Sequence, residues 1–374
     1  MFINWELTKS LNDRRCLLFF VLIIFVLYCV SCSPPQRRVI IGKGSLTKTL
    51  FYQDQTNLSK ITDIVQGQLD EQPGSEIGIF SDGIMHIVNS ETAAFKSKLE
   101  SQYLESIGDI YIDKNGSFKI LNYGSVSSVV LINKNGKPLW FYKFPESKGV
   151  EVYGMAAGDI DQDGEMDFFV AAYSGLYKLN DAGKKIWQKD GWVTDVKIFN
   201  PKKNKASQIV TISYDDHIQF RDSKGKIIRE IKPEVTMLGM EFVKWPEQWR
   251  IVTSSDDILF FFSVCVLDLD GKIILKDRIL YSIYELRATT VKFYEDQESY
   301  LAVLGRLSAP FHRSILCIYS PDGKVFHKEI IRKTTGLLAK KSPNSKCETL
   351  LVGDGPGKVY EYKPRLKKGE IGRQ

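Results

Sequence analysis

The sequence predicts an all-β fold, a β-propeller of seven four-stranded blades, with six or eight blades as the alternatives. Two observations predict it: a glycine-centred turn that recurs along the chain, and a short alternating strand on either side of each turn. The composition agrees, because 43% hydrophobic and 12% aromatic residues suit a large core built from sheets. A length of 374 residues is compatible with one unit of this kind.

The recurring turn begins with Asn, Asp or Ser and ends with Gly-Lys. Glycine supplies the positive φ that such a turn needs, and an Asn or Asp side chain bonds to the turn's own backbone. Successive glycines are 42 to 52 residues apart, close to the blade period of about 40–50 residues. The five copies are Asn133–Lys137, Asn180–Lys184, Asp222–Lys226, Asp268–Lys272 and Ser320–Lys324.

Each blade has four antiparallel strands, a to d, which run outward from the axis, and the recurring turn joins c to d. The final repeat stops after a c strand, and the segment 44–51 has the pattern of a separate d strand. Pairing these two segments would close the ring within a propeller of residues 44–363 and hide its open edges. The predicted blades cover about 58–100, 104–146, 150–190, 193–233, 235–281, 284–333 and 335–363.

The N-terminus decides the compartment. Arg14 and Arg15 precede an apolar run, 16–30, that is shorter than the ~20 residues of a membrane span. Its end, Val30-Ser31-Cys32-Ser33, resembles the lipobox of bacterial lipoproteins, although Cys29 stands where that motif usually has Leu.

The lipobox resemblance implies a signal peptide over 1–32, a lipid on Cys32 and a linker over 33–43. It also implies anchoring to a bacterial membrane on the periplasmic side, and Ser33 favours the outer membrane. An uncleaved signal anchor and a soluble secreted form are the alternatives. All three place the domain outside the cytoplasm.

Cys265 and Cys317 each lie six residues before the glycine of a recurring turn. They therefore occupy equivalent positions in different blades, farther apart than the roughly 7 Å between Cα atoms that a disulfide allows. We expect buried thiols rather than a disulfide.

A carboxylate-rich loop lies in the third blade. Its aspartates stand at positions 1, 3, 5 and 9, and Gly164 allows a sharp turn. Alternate carboxylates in such a turn converge on one point, and several hard oxygens there suit Ca²⁺ better than Mg²⁺. A carboxylate-rich hairpin without an ion is the alternative. The predicted ligands are Asp159, Asp161, Asp163, the backbone carbonyl of Glu165, and Asp167.

The residues Asp159-Ile160-Asp161-Gln162-Asp163-Gly164 with Asp167 resemble the calcium-binding FG-GAP repeats of integrin-α-like propellers. That resemblance implies a calcium ion at the a–b hairpin. The loops at 68–76 and 113–116 look like degenerate copies of it. Residues 174–187 are similar to the repeats of PQQ-type propellers, which include a tethered, non-enzymatic lipoprotein scaffold.

Propeller topology divides the loops between two rims. The a–b and c–d connections share one rim, where the C-terminal tail 364–374 emerges and where we expect the tether. Lysines there would suit an anionic membrane surface, although turn lysines are also simply solvated. These lysines are Lys137, Lys184, Lys226, Lys272 and Lys324 in the turns, with Lys202, Lys203, Lys205, Lys340 and Lys341 in the hairpins.

The opposite rim, formed by the b–c and d–a connections, is then free for a partner. A mixed-charge rim with an exposed aromatic suits protein binding, but such residues also occur at ordinary blade tips. The candidate partner-binding residues are Asp215, Asp216, His217, Asp256, Asp257, Arg306, Phe311, His312 and Arg313.

The residues favour a binding or scaffolding module over an enzyme. The four histidines are scattered over three repeats, and the chain has neither a zinc-binding His-Glu-x-x-His nor a nucleophile elbow. We expect an envelope protein or a carbohydrate as partner, and no nucleic acid. A polysaccharide-binding protein or a lyase-type enzyme is the alternative.

Overall fold

The computed structural model describes residues 39–41, 46–54, 60–69, 75–81, 83–104, 107–112, 118–125, 128–144, 151–201, 206–256, 262–279, 283–295, 297–307, 313–342, 345–355 and 357–365. These ranges contain 29 strands, β1–β29, and no helix. A helix able to cross a membrane is accordingly absent from them, and they do not include the apolar run 16–30.

The strands form seven antiparallel sheets, and this confirms the predicted count of seven blades. Blade 1 consists of β3 (Ile61–Gly67), β4 (Glu76–Ser81), β5 (Ile84–Asn89) and β6 (Phe95–Glu100). Blade 2 consists of β7 (Ile107–Ile112), β8 (Phe118–Ser125), β9 (Ser128–Asn133) and β10 (Pro138–Lys143). Blade 3 consists of β11 (Val152–Gly158), β12 (Asp167–Ala172), β13 (Gly175–Leu179) and β14 (Lys185–Lys189). Blade 4 consists of β15 (Val193–Phe199), β16 (Gln208–Ser213), β17 (Ile218–Arg221) and β18 (Ile227–Ile231).

The remaining three blades complete the ring. Blade 5 consists of β19 (Glu241–Lys244), β20 (Trp249–Asp256), β21 (Phe262–Leu267) and β22 (Ile273–Ile279). Blade 6 consists of β23 (Ile283–Val291), β24 (Tyr300–Leu307), β25 (Arg313–Tyr319) and β26 (Val325–Arg332). Blade 7 consists of β27 (Leu337–Lys341), β28 (Glu348–Gly353), β29 (Lys358–Pro364) and, from the other end of the chain, β2 (Leu46–Gln53).

Strand β2 closes the ring, as the sequence predicts. It pairs antiparallel with β29, from Leu46 opposite Pro364 to Gln53 opposite Lys358. Its Lys48 ammonium lies 2.8 Å from the Glu329 carboxylate and 3.3 Å from the Asp354 carboxylate. Closure therefore combines backbone pairing with two ion pairs to carboxylates that are largely withdrawn from water.

Strand β1 (Val39–Ile41) was not predicted. It lies within the segment 33–43 that the sequence indicates as a linker, and it adds a fifth strand to blade 6 by pairing with β26. Val39 stands opposite Glu329, midway along β26. The chain therefore reaches β2 along the outer edge of blade 6, and not directly from the c–d rim as expected.

The five predicted turns join strands c and d. In the turn of blade 2, the Gly136 N–H donates to the Asn133 carbonyl at 2.9 Å. The Asn133 side chain accepts from the backbone N–H groups of Asn135 and Lys137 at 2.9 and 3.0 Å. The five turn glycines have φ between +72° and +83°, a conformation that glycine adopts without steric cost.

The hydrophobic core is divided among the seven blade-to-blade interfaces. Each of the seven buried clusters joins two neighbouring blades, for example Val252 of blade 5 with Val303 of blade 6. Cys265 and Cys317 are buried free thiols in two different clusters. The expectation of buried thiols without a disulfide is therefore confirmed.

Candidate functional site

The acidic loop of blade 3 joins β11 to β12. The carboxylate oxygens of Asp159, Asp161 and Asp163 come within 4.8 Å of one another. Two backbone N–H groups fix the turn: Gly164 donates to Asp159 Oδ2 at 3.0 Å, and Glu165 donates to Asp163 Oδ1 at 2.7 Å. The structure thus brings three of the predicted carboxylates together around one point.

Asp167, the fourth predicted carboxylate ligand, has a different neighbour. Its Oδ2 lies 2.7 Å from the ammonium of Lys178, which is also 3.3 Å from Asp161 Oδ2. Asp159 Oδ1 is buried and accepts no hydrogen bond from the described residues. A donor set of three carboxylates with one such open oxygen fits a hard divalent cation such as Ca²⁺.

In the degenerate copy of this loop in blade 1, the residue that corresponds to Asp167 forms an ion pair. Glu76, the counterpart of Asp167, is fully buried and lies 2.9 Å from the Lys96 ammonium. Its other oxygen accepts from the Leu69 N–H at 2.9 Å. Asp70 and residues 71–74 lie outside the described residues, as does the copy at 113–116.

The predicted partner-binding residues lie on three different blades. Asp215, Asp216 and His217 form the b–c turn of blade 4, where His217 Nδ1 is 2.8 Å from Asp215 Oδ2. Asp216 has φ +65° and accepts from the Met237 N–H at 2.9 Å, which gives it a structural role. Asp256 is exposed at the end of β20 in blade 5.

The remaining candidates belong to blade 6. Arg306 points to the a strand of its own blade, with Nη1 2.9 Å from Glu285 Oε2. Arg313 begins β25 and is half-buried. Asp257, Phe311 and His312 lie outside the described residues. Among the described candidates, no contact joins those of blade 4, blade 5 and blade 6, and the partner-binding site stays a prediction.

The expected basic rim carries charges of both signs. Its turn lysines are exposed, but the five turns also contain five aspartates, and the acidic loop of blade 3 adds four carboxylates on the same rim. Lys340 is buried and paired with Glu361 at 2.7 Å, while Lys202, Lys203 and Lys205 lie outside the described residues. Contact of this rim with an anionic membrane surface stays a prediction.

Carboxylates line the central channel at a repeated position. In four blades a β-bulge interrupts strand a just before its third residue, and that residue is acidic. In blade 3 the equivalent residue is Gly154, where a Cβ would lie 2.7 Å from Asp195 Oδ1. The four acids are Asp63, Asp109, Asp195 and Glu285.

Two of these carboxylates connect neighbouring blades. Asp109 Oδ1 accepts from the Ile110 N–H of its own strand, and Oδ2 accepts from the Ala157 N–H of blade 3, both at 2.8 Å. Asp195 makes the same pair of bonds, to Val196 of its own strand and to Met240 of the next blade. Each side chain thereby holds the inner edge of one blade against the next.

Cationic side chains extend across the same channel. Glu241 Oε1 lies 3.2 Å from Lys197 Nζ and 3.3 Å from Arg287 Nη1, and Arg287 Nη2 is 3.9 Å from Asp63 Oδ2. Asp109, Lys197, Glu241 and Arg287 border a cavity of about 330 Å³. The channel is therefore accessible to water and lined by a network of charged side chains, and it is not an apolar pore.

Four aromatic side chains form a cluster on the b–c and d–a rim, which we call the aromatic platform: Tyr153, Tyr173, Trp192 and Tyr214. Trp192 and Tyr214 stack with ring centroids 3.8 Å apart and an interplanar angle of 12°. Tyr173 and Tyr153 lie 4.9 and 6.1 Å from the Trp192 ring. Tyr173 and Tyr214 are 58% and 64% exposed, so the platform faces solvent.

The sequence reasoning missed this platform, although a signal for it was present. Tyr173 and Tyr214 each follow the last residue of strand b in consecutive blades. Their backbone N–H groups make equivalent bonds, from Tyr173 to the Glu151 carbonyl and from Tyr214 to the Trp192 carbonyl, both at 3.1 Å. Comparing the blades position by position would have revealed the repeated tyrosine.

Comparisons with known proteins agree with this architecture. A family model described as the lambda-carrageenase beta-propeller domain matches residues 120–237, from β8 to just beyond β18. The chain is a β-propeller. No curated protein matches it.

Solved structures resemble the chain over most of its length at low identity. Two crystal structures of BBS1N in complex with ARL6DN, soaked with mercury or lead, have 13% and 12% identity and a TM-score of 0.54. They cover 84% and 83% of this chain and 97% and 94% of those chains. BamB from Moraxella catarrhalis has 14% identity over 88% of this chain and all of its own, with a TM-score of 0.48. At these identities the likeness shows the fold alone.

The channel carboxylates generate a prediction about pH. Burial raises the pKa of Asp109 from 3.8 to about 6, against the lowering effect of its two backbone hydrogen bonds. The folded state therefore binds this proton more tightly than the unfolded state, and the free energy of unfolding that Asp109 contributes falls as the pH rises from about 4 to about 6.

Asp109→Asn should reduce this pH dependence. We expect denaturant titrations at pH 4, 5, 6 and 7 to show a smaller decrease in the free energy of unfolding than for the wild type. The variant will also be less stable at every pH, because one amide oxygen replaces the two carboxylate oxygens that accept hydrogen bonds. The readout is therefore the slope of the free energy of unfolding against pH. A wild-type slope in the variant would contradict the prediction.

Proposed function

We propose that this protein is a non-enzymatic, polysaccharide-binding propeller of the cell envelope, whose ligand lies across the aromatic platform. The observation that carries the proposal is the exposure of Tyr173 and Tyr214 beside Trp192. Exposed clusters of large apolar groups on a soluble domain commonly mark binding surfaces. The C–H faces of pyranose rings pack well on flat aromatic rings, while their hydroxyl groups bond to polar neighbours.

The matched family model supports a polysaccharide over a protein as the ligand. That model describes a propeller domain of a carrageenase, and the matched residues 120–237 include all four platform residues. BBS1N was crystallised in complex with a protein, ARL6DN, but that likeness shows only the fold. A protein partner, as the sequence favours, is therefore the alternative that the binding experiment must separate.

The described histidines support a non-enzymatic role, because each has a local partner. His86 Nδ1 lies 2.7 Å from the Tyr52 hydroxyl, and His327 Nε2 lies 3.3 Å from Glu329 Oε2. Both histidines are buried, and His217 lies beside Asp215 on blade 4. These contacts are typical of structural histidines rather than of a shared acid–base centre.

Tyr214→Ala should weaken polysaccharide binding about tenfold, or about 1.4 kcal/mol, because it removes one stacked ring. Tyr214→Phe keeps the ring and should bind like the wild type. Phe141→Ala, at an exposed aromatic on blade 2 that is 50% accessible, is the matched control and should have no effect. Affinity electrophoresis against galactans, pectin and alginate measures the change.

Other outcomes of this experiment have defined meanings. Failure to bind any polysaccharide, together with platform-dependent capture of an envelope protein, would replace the proposal by the scaffold function. Cleavage of a bound polysaccharide would overturn its non-enzymatic part.

We further propose that the acidic loop binds a structural calcium ion through Asp159, Asp161 and Asp163. The supporting observations are the convergence of these carboxylates and the buried, open Asp159 Oδ1. Strand β12 runs from this loop directly to Tyr173 on the opposite rim. An ion in the loop would stabilise the hairpin that positions part of the platform.

Calcium should raise the stability of the wild type. At free calcium about one hundred times Kd, binding to the folded state alone adds about 2.7 kcal/mol to the free energy of unfolding. Asp163→Asn should abolish most of this gain, because it removes one anionic ligand while keeping an acceptor for the Glu165 N–H.

Glu165→Gln is the matched control for the calcium experiment. It makes the same charge change in the same loop, but only the backbone carbonyl of Glu165 is predicted to be a ligand. Thermal unfolding with calcium and with a chelator measures both variants. Equal calcium responses in Asp163→Asn and the wild type would argue against a site in this loop.

We propose that the domain is exported and held at a bacterial membrane through a lipid on Cys32. The lipobox-like end of the apolar run supports this proposal. Between Cys32 and Val39 an extended chain spans at most about 24 Å, so the ring would stay close to its membrane. Intact-mass analysis of the membrane fraction should show a diacyl- or triacyl-sized gain that Cys32→Ala removes, and an unmodified wild-type mass would exclude the lipid anchor.

A further inference from the structure

A polar groove between blades 3 and 4 adjoins the aromatic platform. It has a volume of about 410 Å³, and Trp192 of the platform forms part of its wall. The other wall residues that matter here are Lys189, Ser213, Gln219 and Arg221. A ligand on the platform therefore has direct access to the polar side chains of this groove.

Arg221 is the unusual residue of this groove. It is only 7% exposed, and its guanidinium donates to neutral acceptors: the Thr211 hydroxyl at 3.3 Å, the Gly225 carbonyl at 2.9 Å and the Gln219 amide oxygen at 2.5 Å. No carboxylate of the described residues lies within 4 Å of it. Burial lowers the pKa of Arg221, and the Glu230 carboxylate, which accepts from Gln219 Nε2 at 2.6 Å, offsets this lowering only in part.

Other buried cations in the described part of the chain have carboxylate partners. Lys178 is 2.7 Å from Asp167, and Lys340 is 2.7 Å from Glu361. Burying a charge is costly unless it is paired. The arrangement around Arg221 fixes the side chain but places no described carboxylate in direct contact with its guanidinium, because Glu230 reaches it only through Gln219.

A second cation lies on the same groove. Lys189 is half-buried, packs over the Trp187 ring at 5.7 Å, and likewise has no carboxylate within 4 Å among the described residues. Asp190 is the one acidic residue among the described lining residues, and it is exposed. Two cationic side chains and one acidic side chain therefore line the groove, and the Glu230 carboxylate is bonded to the lining residue Gln219.

We infer that this groove binds an anionic substituent of the polysaccharide, either a sulfate ester or a uronic-acid carboxylate. The guanidinium of Arg221 and the ammonium of Lys189 would supply the counter-charge, and planar guanidinium groups suit both kinds of oxyanion. Trp192 belongs to both the platform and the groove wall, so one chain could stack on the first and place its charge in the second. This inference rests on the proposed function, and it adds that the polysaccharide ligand is anionic.

Three polymers test the inference: a sulfated galactan, its chemically desulfated product and alginate. We expect at least one anionic polymer to bind about tenfold more tightly than the desulfated galactan at low salt, and the preference to shrink as salt is added. A preference for the sulfated galactan identifies the sulfate ester, and a preference for alginate identifies the carboxylate.

Lys189→Gln and Arg221→Gln should reduce the preference for the anionic polymer while leaving the affinity for the desulfated galactan unchanged. Lys189 lies at the surface, so its variant keeps the test valid if Arg221→Gln fails to fold. Lys185→Gln, at an exposed lysine of the same strand outside the groove wall, is the matched control and should retain the full preference.

The outcomes separate this inference from the function on which it rests. Equal binding of all three polymers would overturn the anionic groove and leave the polysaccharide-binding function standing. Binding of none of them, with Tyr214→Ala indistinguishable from the wild type, would overturn both. An anionic preference that survives both groove variants would place the charge recognition elsewhere and contradict the inference.

Discussion

The whole structure depends on closure of the ring. A blade has two apolar faces, and each must be covered by a neighbour, because burying apolar surface is the main stabilising contribution to folding. Seven blades require seven interfaces, and the last of these packs Ile61 and Val88 of blade 1 against Leu351 and Val359 of blade 7. Residues nearly three hundred positions apart must meet before that interface can form.

Polar contacts at the closing interface reinforce the apolar ones. The Thr334 hydroxyl donates to the Ile61 carbonyl at 3.0 Å, and the Thr335 hydroxyl donates to the Thr62 carbonyl at 2.6 Å. At the axis, Arg287 of blade 6 lies between Glu241 of blade 5 and Asp63 of blade 1. Charges of both signs in a narrow channel are stable only where each faces an opposite charge, so this network also requires the closed ring.

The sequence predicts best those features of the structure that are specified by residues close together in the chain. The c–d turns are specified by adjacent residues such as Asn180 and Gly183, so the sequence predicts them and the blade boundaries that follow from them. Strand β2 was predictable because the last repeat lacks a d strand. Strand β1 has three residues and no turn of its own, and only its partner β26 makes it a strand.

The functional features were less predictable because they depend on neighbours that are distant in sequence. The spacing of Asp167 indicates a metal ligand, but its ion pair with Lys178 depends on the register of strands β12 and β13. The absence of a described carboxylate within 4 Å of the Arg221 guanidinium is a property of the folded groove. The repeated acid of the a strands and the repeated tyrosine after strand b were visible in the sequence, but only after the blades are superimposed.

Strand β1 has a mechanical consequence. A load applied to the chain before Val39 acts first on β1 along the outer wall of blade 6, and then on β2. In β2, the load along the strand must shear the paired residues from Leu46 to Gln53 together, which resists extension better than separating pairs one at a time. We therefore expect the short outer strand β1 to detach before β2, the strand that closes the ring.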